Sequence, residues 1–386
     1  MAIAGIILFL RFPDALLNPQ LFAEGGVVFF SDAYDKGPFA LLTPYAGYLH
    51  LVPRLVAYFA SLLDPGCVPA LYNGSAFLCE MLTLAFVFSP RVRLPFKPAL
   101  VLSMVLVPHT GEVINSFINI QWWLALVLIM VALSDDPGTR PQRWLDWTAI
   151  LICGLTGPFI VFLLPLFVVR AWLRRSWDSI ALAAFSTLIA SIQIYFLIAA
   201  RSDFIRNQSP DVKFLSADMG ARIFGTYLRG YGLGQVSSHW GWIVVGAAFL
   251  GVAGWSVFRR GAFEFERRML AGAFLCMALA VGLKFVRNPV PISVAIDGDR
   301  YFFLPHVLLG WLLVLAFASL QRWPRWIPVG LAAIALAANA RYLHQPPMKD
   351  YAWKDRVQPI REGKGYSIPI NPAGFVMTSN GRNSRR

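Results

Sequence analysis

Apolar runs separated by short, arginine-bearing loops recur from Val68 to Ala340, and they leave this chain few ways to fold. Lipid offers no hydrogen bonds, so a backbone crossing it must satisfy its own N–H and C=O groups. Runs approaching the ~20 residues needed to cross a bilayer do this as helices. The expected fold is all-α and polytopic. Only 14% of the 386 residues are charged, against about 25% in a soluble domain, so lipid rather than a larger core explains the deficit.

Orientation follows from where the cations fall. Arg91, Arg93 and Lys97 share one loop, Arg140 and Arg143 the next, and Arg170, Arg174 and Arg175 another. Arg259, Arg260, Arg267 and Arg268 follow, then Arg322 and Arg325. Short loops rich in Lys and Arg stay cytoplasmic. The net charge of +13 therefore reads as membrane anchoring, and nucleic acid is not an expected partner. Outer loops fall at Phe12–Cys67, His109–Asn119, Gly154–Pro158, Arg201–His239 and Lys284–Arg300, with a polar tail, 341–386, on the same side. Counting Met1–Phe12 gives about eleven crossings. That first run is short for a crossing and suggests a start upstream. Cys67, Cys79, Cys153 and Cys276 form no CxxC pair and read as small hydrophobes.

The stretch Leu41–Leu63 is apolar enough to raise a further crossing, and two arguments oppose it. Arg54 would sit near its middle at roughly 2.5–3.5 kcal/mol, and an added crossing would turn every arginine loop outward. Instead His50, Arg54, Ala57 and Ser61 form one helical stripe, with Leu51, Leu55, Val56, Phe59, Leu62 and Leu63 opposite. That pattern predicts an interfacial amphipathic helix within the first outer loop.

Three clusters carry possible chemistry, all in outer loops. In FAEGGVVFF, Glu24 precedes two glycines that permit a sharp turn, and Asp32 and Asp35 follow. A partly desolvated carboxylate at a membrane surface can act as general base toward a hydroxyl; a loop acid can also simply solvate its loop. In HTGEVINSFINIQWW, His109 and Glu112 stand three apart, with Asn115 and Asn119 nearby. Two ligands do not make a metal site, so a divalent metal is left open, and capping or sugar contacts are the alternatives. Trp122 and Trp123 suit an interfacial belt or a sugar platform. In the third cluster Asp297, Asp299, Arg300 and Tyr301 face Lys284 and Arg287 across one loop. Arginine's planar fork matches phosphate oxygens, although a snorkelling arginine needs no ligand. Arg54 joins the candidate substrate contacts.

RFPD, NPQ, FAE-G, VFF, PYAGYLHLVPR, P-x-x-G-E at Pro108–Glu112, GLTGP and DRYFFLP together resemble bacterial multi-pass glycosyltransferases of the GT-C superfamily. The resemblance covers most of the chain through short motifs. It implies a polyprenyl-phosphate sugar donor, a lipid or glycan acceptor, and a catalytic acid in the first outer loop. It also implies an inner-membrane location with the active site facing the periplasm. Similar sequences read A-E-D-G where this one has Ala23-Glu24-Gly25-Gly26. Glu24 is then the first choice of base and Asp32 the second, with Arg300, Lys284 or Arg287 at the donor phosphate. Two rivals remain, a flippase for lipid-linked sugar and an inactive partner subunit. The chain lacks the paired halves common in transporters.

Overall fold

The computed structural model describes residues 1–108, 111–200, 218–230, 240–286, 298–321 and 323–381. It is mostly helical. Its longer helices are α1 (Ala2–Arg11), α2 (Leu51–Ala60), α3 (Val68–Val87), α4 (Lys97–Val105), α5 (Ile120–Leu133) and α6 (Arg140–Gly154). Then come α7 (Phe159–Arg174), α8 (Trp177–Ala199), α9 (Trp240–Phe258), α10 (Glu264–Phe285), α11 (Phe303–Ser319) and α12 (Trp326–Asn339). Among the described residues four helical segments are long and apolar enough to cross a membrane: Pro65–Val87, Trp177–Ala199, Glu264–Phe285 and Asp299–Ser319.

Helix α5 is the axis. All 14 of its residues are buried, and it packs on α3, α6, α7, α10 and α11. At 1.5 Å per residue it is about 21 Å long, and the nine residues of α4 reach only about 13 Å. Both fall short of the ~30 Å hydrocarbon core. A helix with no exposed face needs no polar stripe, which is why its sequence is apolar on every side.

The first three arginine loops are ion-paired. Where α5 ends, Arg170 donates to Asp136 at 2.8 Å and Arg91 grips Asp146 at 2.9 and 2.5 Å. Arg143 binds Asp178 in the same forked manner. Burial raises the affinity of Asp136 for its proton, but hydrogen bonds from Ser176, Arg170 and Ser179 outweigh this and hold its carboxyl at about 2. Ser176 also caps α8, its hydroxyl accepting from the Ser179 N–H at 3.1 Å. Ser176→Ala should therefore cost about 1 kcal/mol, measured as a lower Tm in detergent with unchanged helix content.

At the opposite end of α5 a second, smaller core forms. The first loop supplies Leu21, Phe29, Phe30 and Tyr34, and α2 supplies Ala57 and Ala60. The remainder comes from the far end of the chain. Residues 341–381 fold back as short helical turns and an antiparallel hairpin, β1 (Tyr366–Ile370) with β2 (Phe375–Ser379). Trp353, Ile360, Ile368, Ile370 and Met377 enter this core. The Trp353 indole donates to the Pro65 carbonyl at 2.8 Å, and Arg361 forks onto Asp64 at 2.8 and 3.0 Å. The C-terminal segment thus lies on the same end as the first loop.

Helix α2 turns its small and polar stripe inward. Arg54 and Ala57 are buried, while Phe59, Leu62 and Leu63 are exposed. That is the reverse of a water-facing helix, and it suits a surface that lies against lipid.

Candidate functional site

The turn carrying Glu24 is held by the C-terminal segment. Ala23 has φ +44°, a left-handed conformation that a side chain ordinarily disfavours. Its N–H donates to the Asn371 carbonyl at 2.5 Å, and the Asn371 N–H donates back to Leu21 at 3.2 Å. Two backbone bonds thus fix the residues just before Glu24. Just after it, a Cβ on Gly26 would stand 2.5 Å from the Met377 sulfur and 2.7 Å from Ile370. Glycine at 26 is what lets the hairpin close on the loop. At Gly25 the nearest atom would be 3.4 Å away, so this position has room for a side chain.

Glu24 accepts a hydrogen bond from the Tyr45 hydroxyl at 3.1 Å. Tyr45 and Tyr48 are paired through mutual backbone bonds of 3.0 and 3.2 Å around a turn in which Ala46 and Gly47 both have positive φ. Burial, then the Glu24 charge, pushes the Tyr45 phenol well above its usual range, so it remains a donor. Burial likewise raises Tyr48 to about 12, with Tyr301 adding to the shift and a hydrogen bond with Gln121 opposing it. His50 stacks on Tyr48 with ring centroids 4.5 Å apart. Burial lowers its imidazole to about 3 against the pull of the Tyr48 carbonyl. His50 is neutral at physiological pH and cannot act as an anion-binding cation.

Arg300 stands beside this group. Its backbone N–H and one guanidinium nitrogen both donate to Glu112, at 3.0 and 3.1 Å. The guanidinium lies over the Tyr301 ring at 5.2 Å and is within electrostatic reach of Glu24, Tyr45 and Tyr48. Side chains of Arg300 and Glu112 are 38% and 33% exposed, so an anion could reach the pair. Asn119 donates to the Glu112 carbonyl at 2.7 Å. Trp122 meets Tyr301 edge-on, 5.4 Å between centroids.

The structure thus brings Glu24, Glu112, Asn119, Arg300 and Tyr301 into one neighbourhood. Asp32 and Arg54 belong to a different set of contacts. Arg54 is 1% exposed, donates to Asp32 at 2.7 Å and lies over Phe29 at 4.9 Å, while Lys36 bonds the other Asp32 oxygen. Asp35 accepts from Ser379 at 3.0 Å. Lys284 is exposed in the last turn of α10. His109, Arg287 and Asp297 lie outside the described residues. Asp299 is fully buried and faces Arg222 at 3.6 Å. Among the described residues no three His, Cys, Asp or Glu side chains are grouped to hold a metal.

Tyr45, Tyr48 and Gln121 are members the loop acids alone did not reveal. PYAGYLH carries the signal, since an A-G turn between two tyrosines brings both rings to one side. Separately, an apolar cavity of about 420 Å³ opens between α4, α11 and α12, lined by Leu102, Leu106, Leu313 and Ala332. A carboxylate with one neutral donor, beside a reachable guanidinium, can accept a proton while a nearby anion is stabilised. No protein-family model, curated protein or solved structure matches this chain.

Proposed function

We propose that the chain is an inverting, GT-C-like, multi-pass membrane glycosyltransferase of the bacterial inner membrane, with its site on the outer face. It moves a sugar from a polyprenyl-phosphate donor to a cell-envelope lipid or glycan. The observation that carries this reading is that Glu24, held by the Tyr45 hydroxyl, lies in the neighbourhood of the partly exposed Arg300–Glu112 pair at one end of an apolar bundle. Glu24 takes the proton of an acceptor hydroxyl as its oxygen bonds the anomeric carbon. The bond from that carbon to the phosphate oxygen breaks, and Arg300 receives the charge left on the lipid phosphate. The cavity between α4, α11 and α12 suits the polyprenyl tail.

The test is transfer of radiolabelled sugar by purified protein in lipid, given a polyprenyl-phosphate sugar and envelope acceptors. Donor binding without transfer would sink the reading in favour of a flippase or an inactive partner subunit. Arg300→Ala should weaken donor binding by about 10- to 150-fold, since hydrogen bonds to charged groups contribute roughly 1.5–3 kcal/mol. Arg300→Lys should restore part of it, because an ammonium lacks the planar fork. Unchanged donor affinity in Arg300→Ala would mark the residue as a lipid anchor.

A further inference from the structure

A cavity of about 230 Å³ has Phe22 and Gly25 of the first loop in its wall. Four separate parts of the chain enclose it: the first loop, α3, the segment before α5 and the C-terminal segment through Gln345. It has space for several waters, or for one small ring. Phe22, Tyr72 and Phe117 offer aromatic surface, with Tyr72 and Phe117 stacked at 3.9 Å. Gln20, Asn73 and Asn115 add amides.

Asn115 is the informative residue. It is 2% exposed, sits at φ +49°, and neither atom of its side-chain amide has a partner. Its backbone N–H is already taken, donating to Glu80 at 2.6 Å. A buried amide with one acceptor and two donors left unused is unfavourable, so native structures rarely keep one without a partner. Among the described lining residues there is no Lys or Arg, and the one charged side chain is Glu112. Glu112 is itself paired with Arg300, so the lining gives an anion no cation of its own to bind. Aromatic faces for C–H surface, an unused amide for hydroxyls, and no lining cation describe a site for an uncharged sugar.

We propose that this cavity is a subsite for one neutral sugar ring. Its place in a reaction rests on the glycosyl-transfer reading above; the binding itself does not. Phe22 and Gly25, which flank Ala23 and Glu24 in the chain, both line the cavity, so a ring seated there would lie against the turn that carries the proposed base.

The probe is a panel of neutral methyl hexosides, with inorganic phosphate and glucuronate as anionic controls. Saturation-transfer NMR would be run on the protein in a detergent without a sugar headgroup. Neutral glycosides should show saturation and both anions none. Gly25→Leu fills the space and should abolish the signal. Asn115→Gly should weaken binding roughly tenfold and leave the Tm unchanged or raised. Glycine adopts the same backbone angle freely, and the groups removed make no hydrogen bond within the protein. If Gly25→Leu fails to fold, Asn115→Gly carries the test. No saturation by any neutral glycoside, or saturation that persists in both variants, overturns the subsite and leaves the cavity to water. Glycoside binding without sugar transfer would keep the subsite and overturn the transferase; transfer unaffected by Gly25→Leu would do the reverse.

Discussion

Glu24→Gln is expected to lower sugar transfer by about 10²–10⁴-fold, the usual effect of losing a general base, with donor affinity and Tm unchanged. Glutamine keeps the length of the side chain, and its carbonyl can still accept from the Tyr45 hydroxyl that now bonds Glu24 at 3.1 Å. What it cannot do is take a proton. The measurement is initial transfer rate at saturating donor, alongside a donor-binding isotherm. Full activity in this variant removes Glu24 from the chemistry.

Asp32→Asn should fail in another way. Arg54 is 1% exposed and its bonded carboxylate is Asp32, so neutralising that partner leaves a buried cation short of counter-charge. Removing one member of a buried pair costs roughly 3–5 kcal/mol; here the amide oxygen and the partial exposure of Asp32 reduce it. The expected sign is a fall in Tm, with transfer per folded molecule retained. The opposite pattern, normal Tm with no transfer, would move the base to Asp32. Gly25 enters the same comparison. No acid stands there, and Glu112 is the carboxylate lining the cavity that Gly25 faces.

The apolar helices were legible because burial in lipid or protein leaves a composition signal that needs no partner to be read. Arg300 and Glu24 stand out in the sequence as candidates because charge is scarce in such a chain. Pairings were not. Asp32 and Arg54 are 22 positions apart, and nothing local in either residue says that they meet. Glu80 is fully exposed to inspection in the sequence, yet one acid inside a long apolar run does not reveal that it is 0% exposed and bonded to the Asn115 N–H. From its composition the C-terminal segment reads as a polar tail. Its hairpin was written in Tyr366, Ile368 and Ile370, apolar at every second position with Ser367 and Pro369 between, as a half-buried strand requires. Five residues of alternation are easily lost among the surrounding charges.

That segment carries the second large effect. A chain ending after Tyr342 should insert into the membrane and bind donor, yet transfer sugar as poorly as Glu24→Gln. The cause is mechanical. Ala23 occupies a left-handed conformation that is normally unfavourable, and Asn371 holds Ala23 itself and Leu21 before it through two backbone bonds. Without Asn371 the turn relaxes and the Glu24 carboxylate is no longer held beside Arg300. The same truncation strips the cover from Phe29, Phe30 and Tyr34, which pack on Trp353, Ile368 and Met377, and it opens the cavity wall formed by Gln345. Helix α11, which follows Arg300, packs on α10, α4 and α12 instead, so donor binding should persist. A smaller lesion gives an independent reading. Trp353→Ala removes a core side chain at roughly 3–5 kcal/mol but leaves Asn371 in the chain. Its transfer should fall part of the way and recover on cooling, as the small core closes again. Wild-type transfer by the truncated chain would mean that the first loop positions Glu24 unaided, and that the C-terminal segment is only a cover.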